Sequence, residues 1–336
     1  MTRATGPALL VAIDTEGDNQ WSAEARARQT FENLYALGRL HDFFARHGVR
    51  PTYVITHPVA RDPRSAEVLR GLLARGDCEV GAHHHAWETP PCSADDVRRH
   101  PYALQLPLDQ FDAQLDSLTT AIEEGVGVRP VSYRSGRFGF SASHVSSLER
   151  RGYLVESSVA PLFYEAHKQG PDFVEAPLDP YFLAYDDATR PGTSALLELP
   201  LSAALSRRVP PFVERWYARA PSPYMTKRIL RLLRIAEVRW LRPSYSSAED
   251  MIALGRQLAR RGTPILNLLF HSSEAIVGGS PYNRTEAELD AFFDRLGRFL
   301  TFATGELGAV PMTFAEFHAA FVRSGAAAAA GARRTA

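Results

Sequence analysis

Short apolar runs alternate with amphipathic stretches along almost the whole of this 336-residue chain, and that alternation restricts its fold more than any other feature. Residues 8–13 are an apolar run suited to a strand buried on both faces of a parallel sheet. Residues 31–47 then place Leu34, Leu37, Leu40 and Phe44 at helical spacing, and Gly48 closes the helix. The same reading predicts strands at 51–56, 78–85, 130–133, 153–157, 195–200, 264–270 and 309–312. Helices are predicted at 65–75, 108–124, 141–151, 247–261, 286–304 and 314–322. Seven or eight βα units in unbroken succession predict an α/β fold of barrel type, a distorted (β/α) barrel, rather than an open sheet. In such barrels chemistry collects at the C-terminal ends of the strands, so the residues found there decide the functional reading.

Composition narrows the classes. Lys plus Arg number 38 and Asp plus Glu 38, so the formal net charge is zero, and a general nucleic-acid binder is excluded because it needs a cationic surplus. Cys78 and Cys92 make neither a disulfide framework nor a CxxC metal knuckle. No run of about 18 apolar residues is present, so no transmembrane segment is expected. The first apolar run begins almost at once, without a basic n-region or cleavage site, which predicts a cytoplasmic protein. Two stretches depart from the pattern. Residues 207–242 hold ten Arg/Lys against Glu214 and Glu237, and 225–241 reads as a basic amphipathic helix within an insertion at about 203–243. Residues 324–336, rich in alanine, glycine and arginine, are expected to be a disordered tail to a single domain spanning 1–323.

The strand ends carry the chemistry. The first runs into Asp14-Thr15-Glu16-Gly17-Asp18, and the period of two in a strand projects Asp14 and Glu16 together. Two adjacent carboxylates repel unless a positive charge lies between them; the plainer reading is a solvated loop or a helix cap. The third ends in His83-His84-His85-Ala86-Trp87, with His83 and His85 on one face and His84 on the other. Such an H-x-H pair suits a divalent ion, whereas a hydrogen-bonded cluster is the alternative, and His84 is read as a packing residue. Arg134, leaving the fourth strand, is costly to bury without a carboxylate, and Asp14 is its natural partner. Arg137 is a surface or substrate residue. Glu198 lies inside an apolar run and needs a buried partner, and His271 terminates another apolar strand.

At these positions the chain resembles the polysaccharide deacetylases with the NodB homology fold, the carbohydrate esterase family 4 group. The resemblance runs over residues 8–320 with the motifs in the family's order. It implies that Asp14 is the catalytic base and Glu16 the metal carboxylate, with Asp18 a rival for that ligand. The second motif usually has two histidines four apart; here position 87 is Trp, so His85 supplies the second ligand beside His83. This H-x-H-x-W-x-T-P-P version, through Thr89, Pro90 and Pro91, is similar to a subgroup associated with bacterial glycan biosynthesis. Arg134 matches the third motif, Glu198 the fourth loosely, and His271 the fifth.

The resemblance implies hydrolysis of an N-acetyl group on a sugar. Glu16, His83 and His85 hold one divalent ion, zinc first, with cobalt, nickel or iron fitting a similar donor set. Asp14 is the base, oriented by Arg134. His271 is the acid, with Glu198 expected beside it, while Trp87 and Arg137 meet the substrate. The expected partner is a nucleotide- or lipid-linked N-acetyl sugar on the way to surface polysaccharide, and the basic insertion allows peripheral membrane contact. A hydrolase of another C–N or ester bond, or a non-catalytic glycan binder, are the alternatives.

Overall fold

Eight successive buried residues make β1 (Ala8–Thr15) the centre of the molecule. In the computed structural model, which describes residues 6–93, 101–207, 209–219 and 237–334, β1 lies between β10 (Ile265–His271) and β2 (Thr52–Ile55). Beyond β2 the sheet continues through β3 (Glu79–His84), β4 (Ser132–Ser135), β5 (Val155–Glu156) and β7 (Leu197–Glu198). All seven run parallel, as crossover helices on the outside require. β6 (Tyr181–Phe182) adds antiparallel to β7 at the far edge, and β11 (Val310–Met312) pairs the first residues of β1.

No strand ladder joins β10 to β7, so the barrel is closed by other bonds. Asn267, buried on β10, donates through Nδ2 to the carbonyls of Leu199 (2.9 Å) and Pro200 (3.3 Å) and to Ser157 Oγ (3.0 Å). The backbone of Ser202 donates to Asn267 O at 3.2 Å, and Leu241 bridges Ser202 and Leu269. The result is a distorted barrel of seven parallel strands.

The helices outside it cover the sheet with apolar stripes. Leu108–Val126 buries Phe111, Leu115, Leu118 and Ile122 at helical spacing, and Gly127 ends it at φ 84°. Glu286–Gly305 starts from a capping box between Thr285 and Glu288. Three expectations are corrected. The helix expected over 31–47 is two, Glu32–Tyr35 and Leu37–Arg46, parted at Ala36. In the basic insertion, residues 220–236 lie outside those described, but Val238–Trp240 (β9) is a strand antiparallel to Ala203–Leu205 (β8), not the end of a helix. A separate helix, Pro211–Arg219, lies inside the insertion. At the C-terminus the helix Phe314–Arg334 runs on through the alanines expected to be disordered; alanine is the strongest helix former, and low hydrophobicity alone did not break the run.

Candidate metal centre and catalytic cleft

Strand register assembles the site. β1 and β10 place Asp14 beside His271, and β3 and β4 place His83 beside Arg134, all at C-terminal strand ends. Glu16 follows β1 by one residue, and His85 follows β3 by one. Their polar atoms converge. His83 Nε2 lies 3.8 Å from Asp14 Oδ2 and 3.9 Å from Glu16 Oε2, and His85 Nε2 lies 3.2 Å from Glu16 Oε2. His271 Nε2 is 3.8 Å from both Asp14 Oδ2 and Glu16 Oε1. The ligating atoms of Glu16, His83 and His85 all lie within 4.8 Å of one another, and all three residues are buried.

These residues fit a divalent cation on the chemistry of their donors. The Nδ1 of His83 lies 3.1 Å from Arg134 O, so that nitrogen carries the proton and Nε2 turns its lone pair to the centre. The Nδ1 of His85 lies 2.6 Å from Glu88 Oε1, and Glu88 is itself held by Gln29 at 2.6 Å. A carboxylate behind a ligating imidazole is the usual support of a metal site. Electrostatics agree. Burial would raise the Glu16 carboxyl, but His271, His85 and His83 bring it below its ordinary value. Burial would lower His85, yet Glu88 and Glu16 hold it up at about 9, so the pocket attracts positive charge, and a cation ligated there would displace the proton from Nε2. Burial brings His83 down to about 4 and leaves it neutral, as a ligand must be.

Asp14 stands apart. Arg134, fully buried, donates from Nη1 to Asp14 Oδ1 at 2.7 Å and is itself fixed by Ser157 O (2.7 Å) and Ser157 Oγ (3.0 Å). Burial would raise the Asp14 carboxyl, but Arg134, His83 and His271 hold it down at about 2. The side of Asp14 away from Arg134, its Oδ2, faces the two histidines.

Other sequence expectations separate here. His84 points the opposite way, between Tyr133 OH (3.1 Å) and Gln114 Oε1 (2.7 Å), and burial brings it down to about 3. Asp18 is not a rival ligand, because its oxygens accept from Thr30 Oγ1, Asn33 Nδ2 and the backbone of Glu32 and Asn33. Glu198 is the clear correction. It is buried in β7 in register with Glu156 of β5 and accepts from Val159 N at 3.2 Å, away from the cleft. The carboxylate behind His271 is Glu274, at 2.7 Å from Nδ1, fixed in turn by Arg242 (3.1 Å) and Ser244. An apolar neighbourhood marked Glu198 in the sequence, whereas Glu274 followed its histidine by three residues, a spacing a turn closes. Glu88 sits three residues after His85 in the same way.

The cleft around these groups has a volume of about 310 Å³. Trp87 stacks on His85 with ring centroids 4.1 Å apart, and Arg137 covers Trp87 at 4.4 Å from its centroid. Gly136 allows this contact, since a Cβ there would run into the His85 ring. Trp21 packs edge-on against His271 at 4.8 Å.

Two solved structures share this architecture over 96% of the chain. One is a candidate polysaccharide deacetylase of Mycobacterium smegmatis, at 17% identity and TM-score 0.57, with 93% of its own length covered. The other is a candidate glycoside hydrolase or deacetylase of Parabacteroides distasonis, at 15% identity and TM-score 0.62, with 73% covered. The fold is that of the polysaccharide deacetylases. A 4-α-glucanotransferase of Thermococcus litoralis aligns over 93% of this chain and 40% of its own, at 11% identity and TM-score 0.51. The deacetylase fold therefore borders on one carrying other carbohydrate chemistry, and function has to be argued from the site. No protein-family model matches the sequence, and no curated protein does.

Proposed function

We propose that this chain is a metal-dependent carbohydrate N-deacetylase, which removes the acetyl group from an N-acetylated sugar. The observation that carries the reading is the convergence of Asp14 Oδ2, a Glu16 oxygen and three imidazole Nε2 atoms in one cleft. A divalent ion, zinc before cobalt, nickel or iron, would be held by Glu16, His83 and His85 and would supply Lewis acidity to the acetyl carbonyl. Asp14 takes the proton of the attacking water at Oδ2, and Arg134 keeps it ionised and aimed. His271 Nε2 gives a proton to the departing amine. Its own charge is favoured, for Glu16 and Glu274 outweigh burial and raise its pKa. Trp87 and Arg137 form the wall against which the sugar lies. A sugar-binding protein needs neither base nor acid, so the pairing of Asp14 with His271 favours an enzyme. The H-x-H-x-W-x-T-P-P motif supports a place in bacterial surface-polysaccharide biosynthesis, on a nucleotide- or lipid-linked sugar. Among the described residues no helix is long and apolar enough to cross a membrane.

Acetate release from N-acetyl sugars, measured beside metal content, tests this. Asp14→Asn is expected to retain metal and lose turnover by about 10²–10⁴-fold, as for a lost general base. Metal-loaded protein that releases no acetate from nucleotide-linked, lipid-linked or free N-acetyl sugars would sink the proposal.

A further inference from the structure

Three arginines line the cleft, and only one of them is neutralised. Arg242 pairs with Glu274 at 3.1 Å and lies over the Tyr245 ring at 3.9 Å. Arg26 donates to the backbone carbonyl of Gln20 at 2.6 Å, and Arg137 rests on Trp87; among the described residues neither has a carboxylate partner. The two are close enough to repel. Burial first, and then the charge of Arg26, lower the pKa of Arg137. Glu16, across the same cleft, offsets the repulsion only in part, so the two like charges still oppose folding, and here the backbone adds to that cost. Arg137 and Phe138 both adopt left-handed conformations, φ 54° and 58°, which side chains other than glycine rarely accept. Gln20 lines the same cleft with 8% of its surface exposed, and neither atom of its amide has a hydrogen-bond partner. A buried amide left unpaired costs free energy that a ligand would recover.

We propose that Arg26 and Arg137, with the amide of Gln20, form an oxyanion subsite, and that the N-acetyl sugar carries a phosphate or carboxylate that docks there. Planar guanidinium groups suit both, because two N–H donors can meet two oxygens of one anion. The inference rests on the deacetylase reading for the identity of the sugar, but not for the anion.

Calorimetric titration into Asp14→Asn protein, in which turnover is expected to be lost, tests it by binding alone. The probes are N-acetylglucosamine, N-acetylglucosamine 1-phosphate and N-acetylmuramic acid, which carries a carboxylate. At least one charged sugar is expected to bind about tenfold or more tightly than the neutral one, and which one identifies the anion. Arg26→Gln and Arg137→Gln, made separately, are each expected to reduce that preference about tenfold, the scale of one charge-assisted hydrogen bond. Equal binding of all three sugars would overturn the subsite. So would a preference that persists in both variants, which would place the anion on the metal centre. Binding of a charged sugar without acetate release by the wild-type protein would leave the subsite standing and overturn the deacetylase reading alone.

Discussion

Two glutamates show at the scale of single residues why burial and function must be argued separately. Glu198 and Glu156 face each other across neighbouring strands with no cation bonded to either. Burial, and then the neighbouring Glu156, raise Glu198 well above its ordinary 4.5. Glu156 already accepts from the backbone and hydroxyl of Ser158, while Glu198 Oε2 has no donor. The proton that such a pair retains is therefore favoured on Glu198. A folded pKa above the unfolded one means stability that is complete below about pH 4.5 and lost as pH rises toward the folded value. Glu198→Gln keeps the donor and removes the titration. Its melting temperature is expected to exceed that of wild type increasingly between pH 5 and 8, with a slope of up to about 1.4 kcal/mol per pH unit. Thermal unfolding of both proteins across that range checks it; parallel curves would mean that Glu198 is ionised. Glu274→Gln is expected to behave differently. It loses the charge behind His271 and leaves Arg242 buried without its partner, so kcat should fall by about 10–100-fold in acetate-release kinetics. Sequence alone paired His271 with the wrong glutamate, because which strand ends adjoin depends on register, and register is a property of the sheet.

β3 is the element on which the metal reading turns. Its alternation aims His83 and His85 into the cleft and His84 at Gln114 and Tyr133. Metal analysis is expected to find His83→Ala and His85→Ala depleted and His84→Ala loaded. His84→Ala should instead lose about 2–4 kcal/mol of stability, from a cavity and two orphaned polar partners. Loss of metal from all three variants alike would contradict the strand geometry. Elements of this kind were legible in the sequence, since a period of two or of 3.6 survives without tertiary information. β1, β3, β10 and the helices Leu108–Val126, Ala248–Arg261 and Glu286–Gly305 fall near their expected bounds. β5 and β7 lie inside the runs expected at 153–157 and 195–200, whereas the two-residue β6 is too short to carry a period, and the β8–β9 pair joins residues more than thirty positions apart. Nothing local announces such a pairing.

The whole molecule depends on a seam. Between β10 and the segment after β7 the barrel is held by the side chain of Asn267 and a few backbone bonds, where every other neighbouring pair has a ladder. Asn267→Leu would remove three donor contacts and leave the Leu199 and Pro200 carbonyls short of a partner in the interior. A loss of about 2–4 kcal/mol is expected in denaturant titration, more than an isolated surface change would give. An unchanged midpoint would mean that packing, not Asn267, closes the barrel. The alternation of strands and helices predicted a barrel but said nothing of how it closes, because closure rests on one amide in an apolar run. The β8–β9 pair, tied where Ser206 N meets Glu237 O at 2.7 Å, stands at this seam and returns the chain to the point from which it left. Lengthening a loop whose ends are already fixed costs little, on the order of 0.6 kcal/mol for each doubling. What is carried between those two strands can therefore change with the cleft left as it is, so that new specificity can be acquired by splicing rather than by redesign.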